Sequence, residues 1–153
     1  MFRYLILVAL VPAIVFGVEF NKCSKGPAPL SLSVVGCDSQ PCNLVRGKNT
    51  EFQFLFEVLS DVDELRTTVF ATVFGLTTEY PLPSEFSNVC EHIGTDKCPL
   101  EKGEQITVSL SIPVLEFYPL ISLNIEISLV EKNNTSIVHS CFNLDAKVVE
   151  PEP

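Results

Sequence analysis

Hydrophobic residues in this chain recur at every second position. Within residues 51–59, Phe52, Phe54, Phe56 and Val58 share one parity. Within 105–112, Ile106, Val108, Leu110 and Ile112 alternate with Thr107, Ser109 and Ser111. Within 121–129, Ile121, Leu123, Ile125, Ile127 and Leu129 alternate with Ser122, Asn124, Glu126 and Ser128. Within 138–148, Val138, Phe142, Leu144, Ala146 and Val148 lie on one parity. A strand turns successive side chains to opposite faces, so each segment predicts a strand with one buried face. Residues 65–74, rich in Thr, Val and Phe, predict another strand, 30–35 a shorter one and 18–23 an edge strand.

Turn chemistry separates these segments. Val45-Arg46-Gly47-Lys48-Asn49 and Glu101-Lys102-Gly103-Glu104 read as tight polar turns. Asp61-Val62-Asp63-Glu64 and residues 131–135 divide two further pairs of strands. Residues 77–103, with Pro81, Pro83 and Pro99, form the one long stretch expected to be irregular, and such a loop is usually functional or specially tethered. No amphipathic helical period and no internal repeat is present. About seven antiparallel strands joined by short turns predict an all-β, two-layer sandwich. An antibody-type domain would place a core Trp beside an inter-sheet disulfide, and this chain has no Trp.

The amino terminus changes the expected compartment. Arg3, the apolar run 5–16 and the small residues Val15 and Gly17 make a signal peptide over residues 1–17. A membrane span needs about 20 apolar residues, and Glu19 and Asn21 interrupt too early. The expected domain is then 18–150, followed by a short acidic tail, 151–153. Loss of Arg3 takes the net charge from −9 to −10. With so few scattered cations the chain lacks the basic face that nucleic acids require, and a monomer is expected.

Export also explains the cysteines. Six are present, and in an oxidising compartment they read as three disulfides, with fifteen pairings open. Proximity suggests Cys37–Cys42 across Pro41 and Cys90–Cys98 around Gly94, leaving Cys23 and Cys141 to join the ends. His92 and His139 have no partners at metal-site spacing, so no metal and no cofactor is expected. Asn133-Asn134-Thr135 and Asn134-Thr135-Ser136 are overlapping glycan acceptor sequences, at Asn133 and Asn134. Catalytic motifs such as G-x-S-x-G, H-E-x-x-H and the P-loop are missing, and the buried parities carry almost no titratable groups. An interior of that kind can pack or bind, but it has little with which to catalyse. No enzyme is expected. The alternation alone fits an ordinary packed core as well as a cavity.

Four motifs add to this picture: Pro41-Cys42-x-Leu44-x-x-Gly47, Tyr80-Pro81-x-Pro83, Cys98-Pro99-Leu100-x-x-Gly103, and Tyr118-Pro119 followed by an alternating strand and Cys141. In their order and spacing around six cysteines, the chain resembles the ML-domain lipid-recognition family, most of all its Niemann-Pick type C2-like branch, from about Phe20 to Val149. The resemblance implies an immunoglobulin-like sandwich with sheets splayed around a lipid cavity, and the same three disulfides that proximity suggested. It implies a mouth formed by Tyr80, Val114 and Tyr118. Its implied walls are Phe52, Phe54, Ile112, Pro113, Pro119, Leu123, Ile125, Ile127 and Phe142. The expected role is carriage of a sterol, fatty acid or similar lipid, outside the cell or in the endosome or lysosome lumen, with transient contact to a membrane or membrane receptor. Presentation of a lipid to a membrane receptor is the alternative. Three departures set this chain apart from vertebrate sterol carriers: Ile127 and Phe142 replace Trp, Tyr80 replaces Phe, and Gln53 stands where those members carry a glycan acceptor. Arthropod members, among them mite allergens, make a fitting branch.

Overall fold

The computed structural model describes residues 17–153. The signal peptide expected at 1–17 therefore lies, apart from Gly17, outside the described residues. Among the described residues the chain forms nine strands. They are β1 (Asn21–Lys22), β2 (Ser31–Val34), β3 (Cys42–Val45), β4 (Asn49–Glu57) and β5 (Leu65–Val73). β6 (Leu76–Tyr80), β7 (Gln105–Pro113), β8 (Ser122–Glu131) and β9 (Val138–Val149) follow. The helical pieces among the described residues are one turn of α-helix, α1 (Ser84–Ser87), and a single 3-10 turn at Val89–Glu91.

Two sheets face each other. One runs β1-β9-β8-β5-β6, with β3 added to β9, and the other runs β2-β4-β7. Seven of the strands are those predicted above, four of them from alternation. β3 and β6 are additions, each with a local cause. β6 opens the stretch expected to be irregular. Its residues Leu76, Thr77, Thr78 and Glu79 are all exposed, so no alternation marks it. It forms because Phe74 and Gly75, both at positive φ (50° and 77°), make a two-residue hairpin turn back along β5. β3 is delivered to the edge of β9 by the Cys37–Cys42 disulfide and runs parallel to it, Cys42 opposite Ala146 and Val45 opposite Val149.

The core lies between the sheets. Phe54 and Phe56 of β4 and Ile106, Val108 and Leu110 of β7 come from one side. Ile127 and Leu129 of β8 and Phe142 and Leu144 of β9 come from the other. The Phe54 and Phe142 rings meet edge to face, centroids 5.3 Å apart, across the gap. Cys23–Cys141 and Cys90–Cys98 complete the disulfides. The long segment between β6 and β7 is tethered rather than free. Leu100 and Val62 exchange backbone hydrogen bonds of 2.8 and 2.9 Å, and Val89, Ile93 and Leu100 are buried.

Removing the central ring should open a cavity that neither sheet can close. Phe54→Ala is expected to cost about 3–5 kcal/mol, read as a lower denaturant midpoint. Cys23 and Cys141 are 118 residues apart, and replacing both with Ser should cost roughly 4–5 kcal/mol by the same measurement.

Candidate functional site

Facing sheets stand about 10 Å apart, and large side chains from both must meet to fill that gap. At the Phe54–Phe142 level they do. Toward the end where β4 begins and β7 ends, the inward residues become smaller: Thr50 on β4, Val69 and Ala71 on β5, Val148 on β9. These do not reach across. An apolar cavity of about 80 Å³ remains, with Leu44, Phe52, Leu123 and Ile125 completing its walls.

The mouth is made by the segment that follows β7 and by the end of β6. Tyr80, the last residue of β6, and Tyr118 share a hydrogen bond between their hydroxyls of 2.5 Å, with rings nearly perpendicular. Val114 is buried beside them. The β3–β4 turn holds this arrangement in place. The Gly47 N–H donates to the Val114 carbonyl at 2.7 Å, and the Val114 N–H donates to the Lys48 carbonyl at 3.0 Å. Arg46 Nη1 donates to the Tyr118 carbonyl at 3.0 Å, while the same guanidinium pairs with Glu150. Gly47 has φ 79°, and a Cβ there would sit 3.3 Å from the Glu116 side chain, so glycine allows the close approach.

Burial raises the Tyr118 phenol above its usual pKa of 10.0, and its bond to Tyr80 adds to the shift. The lining contains no charged side chain. One titratable group that the alternation leaves unmarked is buried at the other end: His139. Its Nδ1 accepts from the Leu59 N–H at 3.2 Å, so Nε2 carries the proton and meets Glu131 at 3.1 Å. Satisfied on both nitrogens and remote from the cavity, it is a structural group. Among the described residues, the metal-type donors that approach one another are Cys23, Cys141 and Glu126, and the two sulfurs are bonded to each other.

Of the twelve wall and mouth residues named from the sequence, eight line this cavity: Phe52, Tyr80, Ile112, Pro113, Val114, Tyr118, Leu123 and Ile125. Phe54, Ile127 and Phe142 lie one step deeper, in the solid core. Pro119 is exposed. Leu44, Thr50, Val69, Ala71 and Val148 also line the cavity and were not named. Extending the period of two through Thr67, Val69 and Ala71 of β5, and back from Phe52 to Thr50, would have found three of them. Asn133 and Asn134 occupy the exposed β8–β9 turn, at the end of the sandwich away from the mouth.

Fold and cavity together define a class: an immunoglobulin-like sandwich whose sheets part at one end around an apolar, uncharged space. The family model described as ML domain matches residues 17–148, and the chain belongs to that family. It is similar to NPC intracellular cholesterol transporter 2 homolog a of Drosophila melanogaster, 29% identical over 97% of this chain and 99% of that one. It is also similar to a mite group 2 allergen of Tyrophagus putrescentiae, 29% identical over 95% and 99%. Among solved structures, a Niemann-Pick type C2 protein from the Japanese carpenter ant shares the fold, with a TM-score of 0.74 and 19% identity over 86% of this chain and 99% of that one.

A raised phenol pKa means the folded state keeps a proton that the unfolded state gives up first. The Tyr118 contribution to stability is therefore intact below pH 10.0 and lost as pH rises beyond it. Alkaline titration followed by phenolate absorbance should show a late step that Tyr118→Phe removes.

Proposed function

We propose that this protein is a secreted carrier that holds one sterol, fatty acid or similar hydrophobic molecule between its sheets. The observation that carries this reading is the cavity itself: apolar, without charge, opening at one end behind Tyr80, Val114 and Tyr118. Similarity to the Drosophila NPC intracellular cholesterol transporter 2 homolog a supports it.

Lipid-sized pockets hold about 300–1,000 Å³. The cavity here measures about 80 Å³, so loading requires the sheets to separate further at the mouth. Phe54, Ile127 and Phe142, just beneath it, would then become walls. Several hundred Å² of lipid leaving water, at roughly 25 cal/mol per Å², is enough for micromolar or tighter binding after association costs. The setting is extracellular or the endosome and lysosome lumen, the carrier is a monomer, and its membrane or receptor contacts are transient. Among the described residues no helix is long and apolar enough to cross a membrane.

The same route through the secretory pathway places a glycan on Asn134. Its Oδ1 accepts from the Ser136 hydroxyl at 2.6 Å and from the Ser136 N–H at 3.3 Å, so the acceptor amide and the hydroxyl two residues on are already together. Secreted from insect cells, the chain should lose mass on glycosidase treatment, and Asn134→Gln should abolish that loss where Asn133→Gln does not.

Val114→Phe fills the mouth. It should weaken lipid uptake at least tenfold, or about 1.4 kcal/mol, while unfolding stays cooperative. Tyr118→Ala should weaken uptake in the same assay. If both variants bind like the unaltered protein, the mouth lies elsewhere.

A further inference from the structure

The two sides of the mouth are held unequally. On one side, a strap of hydrogen bonds crosses the segment that carries Val114 and Tyr118. The Arg46 N–H donates to the Val149 carbonyl at 3.0 Å, which fixes the β3–β4 turn to the end of β9. That turn then grips Val114 through the Gly47 N–H and the Lys48 carbonyl. The Arg46 side chain closes the strap: Nη1 donates to the Tyr118 carbonyl at 3.0 Å, and Nη2 pairs with Glu150. Only 22% of that side chain is exposed, so its bond to the carbonyl is a charged one partly shielded from water, and stronger than a neutral bond. A planar guanidinium can donate in two directions at once, which suits it to join a carbonyl and a carboxylate.

Tyr80, on the other side, has less support. β6 is the edge of its sheet and pairs with β5, and Leu76, Thr77, Thr78 and Glu79 are exposed. Beyond Tyr80, Pro81 and Pro83 have no N–H to donate. Across the mouth Tyr80 is bonded by its hydroxyl to Tyr118. Tyr80 also borders an outer recess of about 370 Å³ with Arg66, Leu82 and Ser87, so open space lies on its outer side. Moving Tyr118 breaks a charged bond and strains the bonds at Val114, whereas moving the Tyr80 ring breaks one hydroxyl bond.

We infer that the mouth opens on one side: Tyr80 and the end of β6 move outward while Val114 and Tyr118 stay in place, and Arg46, paired with Glu150, is the positioning residue that holds them. This rests on the carrier reading for its purpose, and on the hydrogen bonds above for its geometry. It makes Glu150, beside the acidic tail, part of the mouth. A lipid then leaves past Tyr80 against a fixed opposite wall, and loosening that wall widens the exit.

The test uses the secreted, disulfide-intact protein. Amide hydrogen exchange without lipid should show the Gly47 and Val114 N–H groups exchanging at least about tenfold more slowly than those of β6. Release of two fluorescent probes, dehydroergosterol and cis-parinaric acid, is then timed on dilution into phosphatidylcholine vesicles. Arg46→Met keeps the apolar stem and removes the donors. It should speed exchange at Gly47 and Val114 and raise release at least about threefold, as loss of one hydrogen bond allows, with the denaturant midpoint unchanged. Arg46→Lys, which still donates, should stay within about twofold of the unaltered protein. Glu150→Ala changes an exposed side chain, should raise release about twofold, and guards against a folding defect in the methionine variant. Exchange at Gly47 and Val114 as fast as in β6 overturns the one-sided opening. Unchanged release in both Arg46→Met and Glu150→Ala overturns the role of Arg46, as does equal release in the methionine and lysine variants. Failure of both probes to bind, with the exchange difference intact, overturns the carrier reading and not the one-sided frame.

Discussion

The structure depends on how the space between two sheets is filled. Apolar faces attract without direction, so nothing in the hydrophobic effect alone keeps a gap open. What keeps it is the size gradient of the inward residues. Phe54, Phe56 and Phe142 bring the sheets into full contact at one level, and Thr50, Val69, Ala71 and Val148 leave them short of contact at another. The aromatic level acts as a fulcrum: its packing stabilises the fold, and that stability allows the other end to be underfilled. A core packed evenly from end to end would be more stable and would contain nothing.

Around that gradient the chain fastens its edges and its long connection. Cys23–Cys141 ties the start of the domain to the middle of β9. The long segment after β6 is held by Cys90–Cys98, by the Asn88 side chain accepting from the Cys90 N–H, and by the Leu100–Val62 pairing. At the mouth, no disulfide joins Tyr80, Val114 and Tyr118. Val114 and Tyr118 are positioned there by hydrogen bonds from a turn, and Tyr80 by the end of an exposed edge strand. These bonds are individually modest, about 1 kcal/mol each, so parting the mouth costs little compared with breaking a disulfide.

Much of this is legible in the sequence, and the failures follow from physics. The alternation in β4, β7, β8 and β9 survives because one face of each is buried, and burial forces polarity to alternate. β6 shows no such pattern because its residues are largely exposed on both faces. β5 hides its inward residues because Phe70, Val73 and Phe74 place apolar groups on the opposite parity or at an exposed hairpin. Thr50 is passed over because a threonine on the buried parity reads as the end of the apolar run. Alternation also reports which face a residue is on and nothing about its depth along the strand. That is why Phe52 lines the cavity, while Phe54, two residues on and on the same face, is part of the solid core beneath it.

The hydroxyl contact between Tyr80 and Tyr118 has a kinetic meaning. On the proposed carrier reading, a lipid larger than the cavity enters only molecules whose mouth is already parted, and the population of that form sets the pace. At low lipid concentration loading follows collision. At high concentration it levels off at the rate of parting itself, well below the diffusion limit. The apparent dissociation constant is the intrinsic one divided by the fraction parted, so the strength of this contact enters affinity alongside the contacts the tyrosines make to the ligand itself. Retention time and affinity are thus set partly by two phenol groups, whichever lipid the interior holds.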